Sequence, residues 1–257
     1  MIYLKTYFYV EHEFQFLAAN LKESYPHVEK FIICEFNRTH TGMPRKMLGW
    51  EKLSGSLPSE MLDKVLYLPL DLSEHTVPAY NDESAMHRVN EPVMRSIFMK
   101  HVEFKDDDIV VSVDADEIIY EKSYSKIQEL LKHHSACLLN LHQFFYKKTY
   151  LWKNKDFIAP IAAKYSYFKH RFPCNLRYEG VPMHEKAGCH FSWCMNPKEM
   201  VYKLNTYSHP QYRFCADEGL LTEAIAKKTY PFDPEENFDI EEISLDDERI
   251  PQSMRKV

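Results

Sequence analysis

Three carboxylates, Asp114, Asp116 and Glu117, close a short apolar run, Ile109-Val110-Val111-Ser112-Val113. A run rich in β-branched residues suits a buried strand. If the chain stays extended past Val113, Asp114 and Asp116 point to one side. Two acids converging at the end of a buried strand repel each other, and a shared cation removes that cost. A hard divalent ion such as Mg²⁺ or Mn²⁺ takes oxygen ligands and shares them with phosphate groups. A strand end with solvated acids, or an Asp that starts a helix, fits the D-x-D spacing equally well. The rest of the chain has to decide.

Strands are expected over Ile2–Val10, Val28–Phe36, Val65–Leu70, Asp108–Val113 and Ala136–Tyr146. Helical spacing marks Glu13–Ser24 (Phe14, Leu17, Ala18, Leu21), Ser123–His133 and Asp217–Lys228. Glu83–Phe104 also reads as a helix, kinked or restarted at Pro92. This alternation predicts an α/β sheet covered on both faces. In such sheets ligands bind at the carboxyl ends of the strands, where the acids lie. Asp233–Glu248 holds nine acids and no base, and reads as a solvated segment. The expected organisation is one catalytic domain over 1–232 and an acidic C-terminal segment over 233–257.

The net charge of −6 gives no electrostatic footprint for nucleic acid. No stretch has the roughly 18 apolar residues of a membrane span, and no signal peptide is evident, so a soluble, cytoplasmic chain is expected. Cys34, Cys137, Cys174, Cys189, Cys194 and Cys215 are scattered without C-x-x-C spacing, which argues against a disulfide framework.

Three stretches together carry a resemblance. Phe31 to Lys46 contains Cys34-Glu35, then Thr39-His40-Thr41-Gly42-Met43-Pro44-Arg45. Asp106-Asp107-Asp108 leads into Asp114-Ala115-Asp116-Glu117-Ile118. Gly188-Cys189-His190-Phe191-Ser192-Trp193-Cys194 is followed by Pro197 and Lys203-Leu204. In order and rough spacing they resemble the motifs of glycosyltransferase family 17, across approximately Tyr7 to Tyr230. Cys189 stands where that family usually has Trp, and Ile119 where it has Pro. The resemblance implies a GT-A-like nucleotide-diphospho-sugar transferase fold, with a mixed, mostly parallel sheet flanked by helices. It also implies an inverting, metal-dependent transfer of a sugar, GlcNAc first, from a UDP-sugar donor to a glycan or glycoprotein acceptor, with a β-linked product.

On that reading Asp116 is the direct ligand of Mn²⁺ or Mg²⁺, Asp114 supports the metal or holds the ribose, and His190 is a third ligand. A histidine packed among Phe191 and Trp193 is the plainer account of His190. Glu117 is expected to orient rather than ligate. Arg95 and Lys203 are candidates for the diphosphate, Arg as a fork and Lys as a point charge; either also fits a surface ion pair. Glu11, Glu35 and Thr39, with His40 and Thr41, are placed on the nucleotide side, although turn chemistry suits the same loop. An inverting transfer needs a general base for the acceptor hydroxyl. Asp217, Glu218 and Glu185 are the candidates, although an acid opening a helix is commonly a dipole partner. Phe144, Phe145, Tyr146 and Trp152 suit a sugar face or a core.

Two other classes remain open from sequence. A metal-dependent nucleotidyltransferase or phosphohydrolase also sets acids at strand ends, and release of pyrophosphate would mark it. A non-catalytic glycan-binding module would bind glycans regardless of UDP or Mn²⁺.

Overall fold

The computed structural model describes residues 1–171 and 179–255, so Cys174 lies outside the described residues. The other five cysteines are buried free thiols. The strands are β1 (Ile2–Phe8), β2 (Lys30–Phe36), β3 (Val65–Leu70), β4 (Ile109–Ser112), β5 (Glu117–Ile119), β6 (Ala136–Phe145), β7 (Tyr150–Lys164), β8 (Val181–Ser192) and β9 (Ile240–Glu242). Among the described residues they form one mixed sheet in the order β3-β2-β1-β4-β7-β6-β8-β5, with β9 beside β7. The first four are mutually parallel. The sheet turns antiparallel at β4–β7, and β6–β8 is parallel again. The helices used below are α1 (Phe14–Ser24), α2 (Glu91–Ser96), α3 (Ser123–His133), α4 (Pro197–Thr206) and α5 (Glu218–Lys227).

The parallel strands read as continuous apolar runs because both faces are covered. In β2, Phe31 and Ile33 face a core that includes Leu17 and Leu21 of α1 and Ile127 and Leu131 of α3. Ile32 and Cys34 face the opposite core, with Met94 of α2 and Phe98. Burying each such Leu or Phe side chain contributes about 1.5–3 kcal/mol. β4 runs between β1 and β7, and Val110 and Val111 are fully buried. The acids that follow are therefore fixed to the middle of the sheet. The α/β expectation, a mixed sheet flanked by helices, is what the chain adopts.

Two segments differ from expectation. Glu83–Phe104 is not one helix. It is α-helical over Glu83–Ala85, π-helical over Met86–Asn90, α-helical again in α2, and 3-10 over Ile97–Lys100. Pro92 has no N–H to donate, and the turn before it widens. The acid-rich segment keeps its acids at the surface, as a solvated segment would, and differs in that its apolar residues pack on the sheet. Its acids are interleaved with apolar residues. Ile240 pairs with Trp152 across β9–β7, and Ile243 and Ile250 pack with Phe16, Ile118 and Phe144. Glu241 and Glu242 turn outward onto Arg249 and Lys228. Among the described residues, no helix is long and apolar enough to cross a membrane.

Candidate active site

β4 ends at Ser112, and Val113 still donates its N–H to the Lys5 carbonyl. The chain then turns, with Glu117 N–H bonded to the Asp114 carbonyl at 3.1 Å. The strand does not stay extended, so alternation is not what aligns Asp114 and Asp116. The turn does it: both line the same cleft. Glu117 is fully buried and its Oε2 accepts the Asp114 N–H at 2.6 Å, so it shapes the turn. β5 then pairs antiparallel with β8, which sets Glu117 opposite His190. Gly188 is required in that pairing, because a Cβ there would lie 2.0 Å from the Ile118 carbonyl oxygen.

Asp114 is gripped from the side of α2. Arg95 Nη1 and Nη2 donate to its two carboxylate oxygens at 2.7 and 3.2 Å. The same guanidinium donates from Nε to Glu91 at 2.8 Å, and it is almost fully buried over the Tyr7 ring. Burial alone would raise the Glu91 carboxyl, but Arg95 and the hydrogen bond from His87 outweigh it and hold Glu91 well below the usual range. Arg95 was expected at the diphosphate. Three of its N–H groups go to Glu91 and Asp114 and it does not line the cleft, so it acts as a clamp on Asp114.

Asp116 is the more buried acid of the pair. Its Oδ2 accepts from Lys203 of α4 at 3.2 Å, and its Oδ1 lies 3.7 Å from His190 Nε2. His190 Nδ1 is 2.9 Å from Gln143 Oε1, which orients the ring. Burial alone would push Lys203 down, but Asp116 and then Glu13 outweigh it and hold the ammonium above its ordinary value. A carboxylate oxygen and an imidazole nitrogen at this separation can reach one ion with bonds of about 2.1 Å, and a Gln carbonyl fixing the far ring nitrogen is a common support for a metal-binding histidine.

The cleft walls come from four places: the end of β1 (Tyr7, Tyr9), the turn before α1 (Glu13), the loop after β2 (His40) and the end of α4 (Tyr207). Thr39 and Thr41 hydroxyls bond each other at 2.8 Å, and Gly42 takes φ +74 to close the loop. Buried Asn90 then donates to the carbonyls of His40 and Val77, tying the loop to the π-helical turn. His40 is thus set among Tyr7, Tyr9 and Tyr207. Burial pushes its imidazole down to about 4, so it is neutral at pH 7, and its buried Nε2 has no hydrogen-bond partner among the described residues. Glu13 accepts from the N–H groups of Tyr9 and Val10. Burial, only partly opposed by Lys203, pushes its carboxyl up to about 7.

The family model for glycosyltransferase family 17 matches residues 7–229. The chain belongs to glycosyltransferase family 17. The β-1,4-mannosyl-glycoprotein 4-β-N-acetylglucosaminyltransferases of Homo sapiens and Rattus norvegicus are each 26% identical to it over 228 residues. The match covers 76% of this chain and 41% of theirs, so the chain spans less than half the length of these curated relatives. Among solved structures, S. aureus TarS in complex with UDP-GlcNAc is 11% identical with a TM-score of 0.43, covering 89% of this chain and 76% of that one.

In this family 17 chain the structure brings Asp114, Asp116, His190 and Lys203 together and sets the other expected residues elsewhere. Glu35 is fully buried and accepts from Gly49 N–H, Leu48 N–H, Tyr67 hydroxyl and Arg45, so it anchors the loop after β2 and does not face the cleft. Thr39 is buried in the loop's own hydrogen bonds. Glu11 is exposed and paired with Lys52. None of the three expected bases lines the cleft. Asp217 caps α5 by accepting Leu220 N–H at 2.8 Å, and Glu218 is exposed in its first turn. Glu185 lies in a separate groove with Lys122 and Lys126. Phe144, Phe145, Tyr146 and Trp152 are core residues. Glu13, Tyr7, Tyr9 and Tyr207 were not anticipated. The signal available for Glu13 was an acid at the junction of β1 and α1, which reads first as helix-start chemistry.

Proposed function

We propose that this chain is a metal-dependent, inverting glycosyltransferase of GT-A-like fold that moves GlcNAc from UDP-GlcNAc to a glycan hydroxyl. The observation that carries the reading is the cleft lined by Asp114, Asp116 and Lys203, with His190 backing Asp116 at 3.7 Å, in a chain of family 17. Asp116 and His190 would hold the cation. When bound, it supplies positive charge to the departing diphosphate as a Lewis acid.

The chain's own groups account for the remaining work. Lys203 places an ammonium on the same side as Asp116, where negative charge develops on the leaving UDP. Neutral His40 and the tyrosines around it offer hydrogen bonds and aromatic faces to the nucleoside or sugar. Glu13 is the general base. A carboxyl near pH 7 takes the acceptor proton efficiently. The acceptor oxygen bonds to the anomeric carbon as the bond from that carbon to the diphosphate breaks. One displacement inverts the α-linked donor to a β-linked product, with UDP as leaving group.

The test is transfer from UDP-GlcNAc to N-glycan acceptors with Mn²⁺ or with chelator, alongside thermal shifts with UDP, GDP and other UDP-sugars. The expected result is metal-dependent stabilisation by UDP species and a β-linked GlcNAc product. No response to any UDP species with metal present would overturn the donor class. Release of pyrophosphate would favour nucleotidyl transfer.

A further inference from the structure

Beside the cleft, one ring beyond Tyr207, Glu83, His87 and His209 place three ligand atoms within 4.8 Å of one another. Glu83 and His87 are one helical turn apart, and His87 Nε2 lies 3.6 Å from Glu83 Oε1. His209 comes from the far side, at the residue before the 3-10 turn Pro210–Cys215, with its ring 5.4 Å from that of His87. Two imidazoles and one carboxylate form a donor set for a borderline divalent ion, and the same set with an open fourth position occurs in zinc sites.

A second observation points the same way. His87 Nδ1 lies 3.0 Å from Glu91 Oε2. A carboxylate on the far ring nitrogen fixes the tautomer and turns Nε2 toward the cluster, the arrangement that supports metal-binding histidines. Glu91 is itself fixed by Arg95. The cluster therefore has a built backing as well as three ligands. It also sits where two segments already meet, since Tyr80 hydroxyl bonds Asn205 Oδ1 at 3.1 Å and Arg213 lies over the Tyr80 ring.

We propose that Glu83, His87 and His209 form a second divalent-metal site, of Zn²⁺ type, distinct from the cation site at Asp116. An ion there pins the π-helical segment, which carries Asn90 and leads into Glu91 and Arg95, to the end of α4 and the turn beyond it.

The experiment uses the full chain, stripped with chelator and titrated with Zn²⁺ alone by calorimetry, with thermal shift in parallel. Wild type and Asp116→Asn should each take up one ion at this site and melt higher with it. His87→Gln and His209→Gln should each weaken that binding by about tenfold or more, the scale on which metal-site residues act. Glu83→Gln, a change at an exposed residue, should weaken it while leaving the melting temperature in chelator unchanged. Zinc uptake that is lost in Asp116→Asn but kept in His209→Gln would assign the ion to the cleft and overturn the proposal. Absence of uptake by wild type would overturn it as well.

Discussion

Arg95 holds both carboxylate oxygens of Asp114, at 2.7 and 3.2 Å, from within a nearly buried pocket. One acid of the D-x-D pair is thereby matched by a fixed internal cation, while Asp116 faces Lys203 and His190. The two acids share a cleft but not an environment.

Removing the clamp leaves Asp114 and Glu91 without their shared cation. Arg95→Ala is expected to cost about 3–5 kcal/mol of stability, the range for breaking a buried pair. Arg95→Lys keeps the charge but loses the fork, and should fall between. Urea unfolding measures both. A cost for Arg95→Ala within about 0.5 kcal/mol, typical of a surface change, would contradict the clamp.

Asp116→Asn keeps size and removes the charge shared by Lys203 and His190. Metal-promoted UDP binding should be lost, and transfer should fall on the order of a hundredfold or more, as when transition-state charge loses a stabilising group. Isothermal titration with Mn²⁺ and UDP, and initial rates, decide this. Unchanged metal dependence in the variant would place the cation elsewhere.

Glu13 carries a pH signature. Its carboxyl is raised from 4.5 to about 7, so between those values the folded chain binds more protons than the unfolded one. Its stabilising contribution is full below about pH 4.5 and is lost as the pH rises through about 7. The stability of wild type relative to Glu13→Gln should therefore decline across that window. Activity should run the other way, rising as Glu13 ionises, and Glu13→Gln should lose that limb and about 10²–10⁴-fold in rate. A matched pH–rate profile in the variant would remove Glu13 from the base role.

His40→Phe keeps an aromatic ring among the tyrosines and removes the unpartnered nitrogen. Donor binding should weaken about tenfold, the worth of one hydrogen bond of roughly 1–1.5 kcal/mol. Stability should change little, because Nε2 has no hydrogen-bond partner among the described residues. Equal donor affinity in a direct binding assay would show that this nitrogen does not meet the ligand.

Much of the frame was legible in the order of residue types. Val65–Leu70 and Ser123–His133 stand where an apolar run and helical spacing set them, because both signals are local. Asp114, Asp116, His190 and Lys203 were recoverable from three motifs far apart in the chain, since the types themselves, two acids, an imidazole and an ammonium, define the chemistry. Sequence also marked Pro92 as the break in its helix.

Which partner each side chain meets was decided only by the tertiary structure. Glu35 lies in a family-like motif and Arg95 on the segment leading into β4, and nothing local distinguishes a phosphate contact from a buried clamp or a loop anchor. Asp217 looked like a base and became a cap, because the first backbone N–H groups of α5 need an acceptor. Glu13 was only the first residue of an expected helix, yet it lines the cleft, where burial raises its carboxyl. Desolvation and pairing depend on what surrounds a group in space. The sequence determined the chemical inventory and the sheet that carries it; the fold decided which acid meets the ammonium, which is clamped and which is poised near neutral pH.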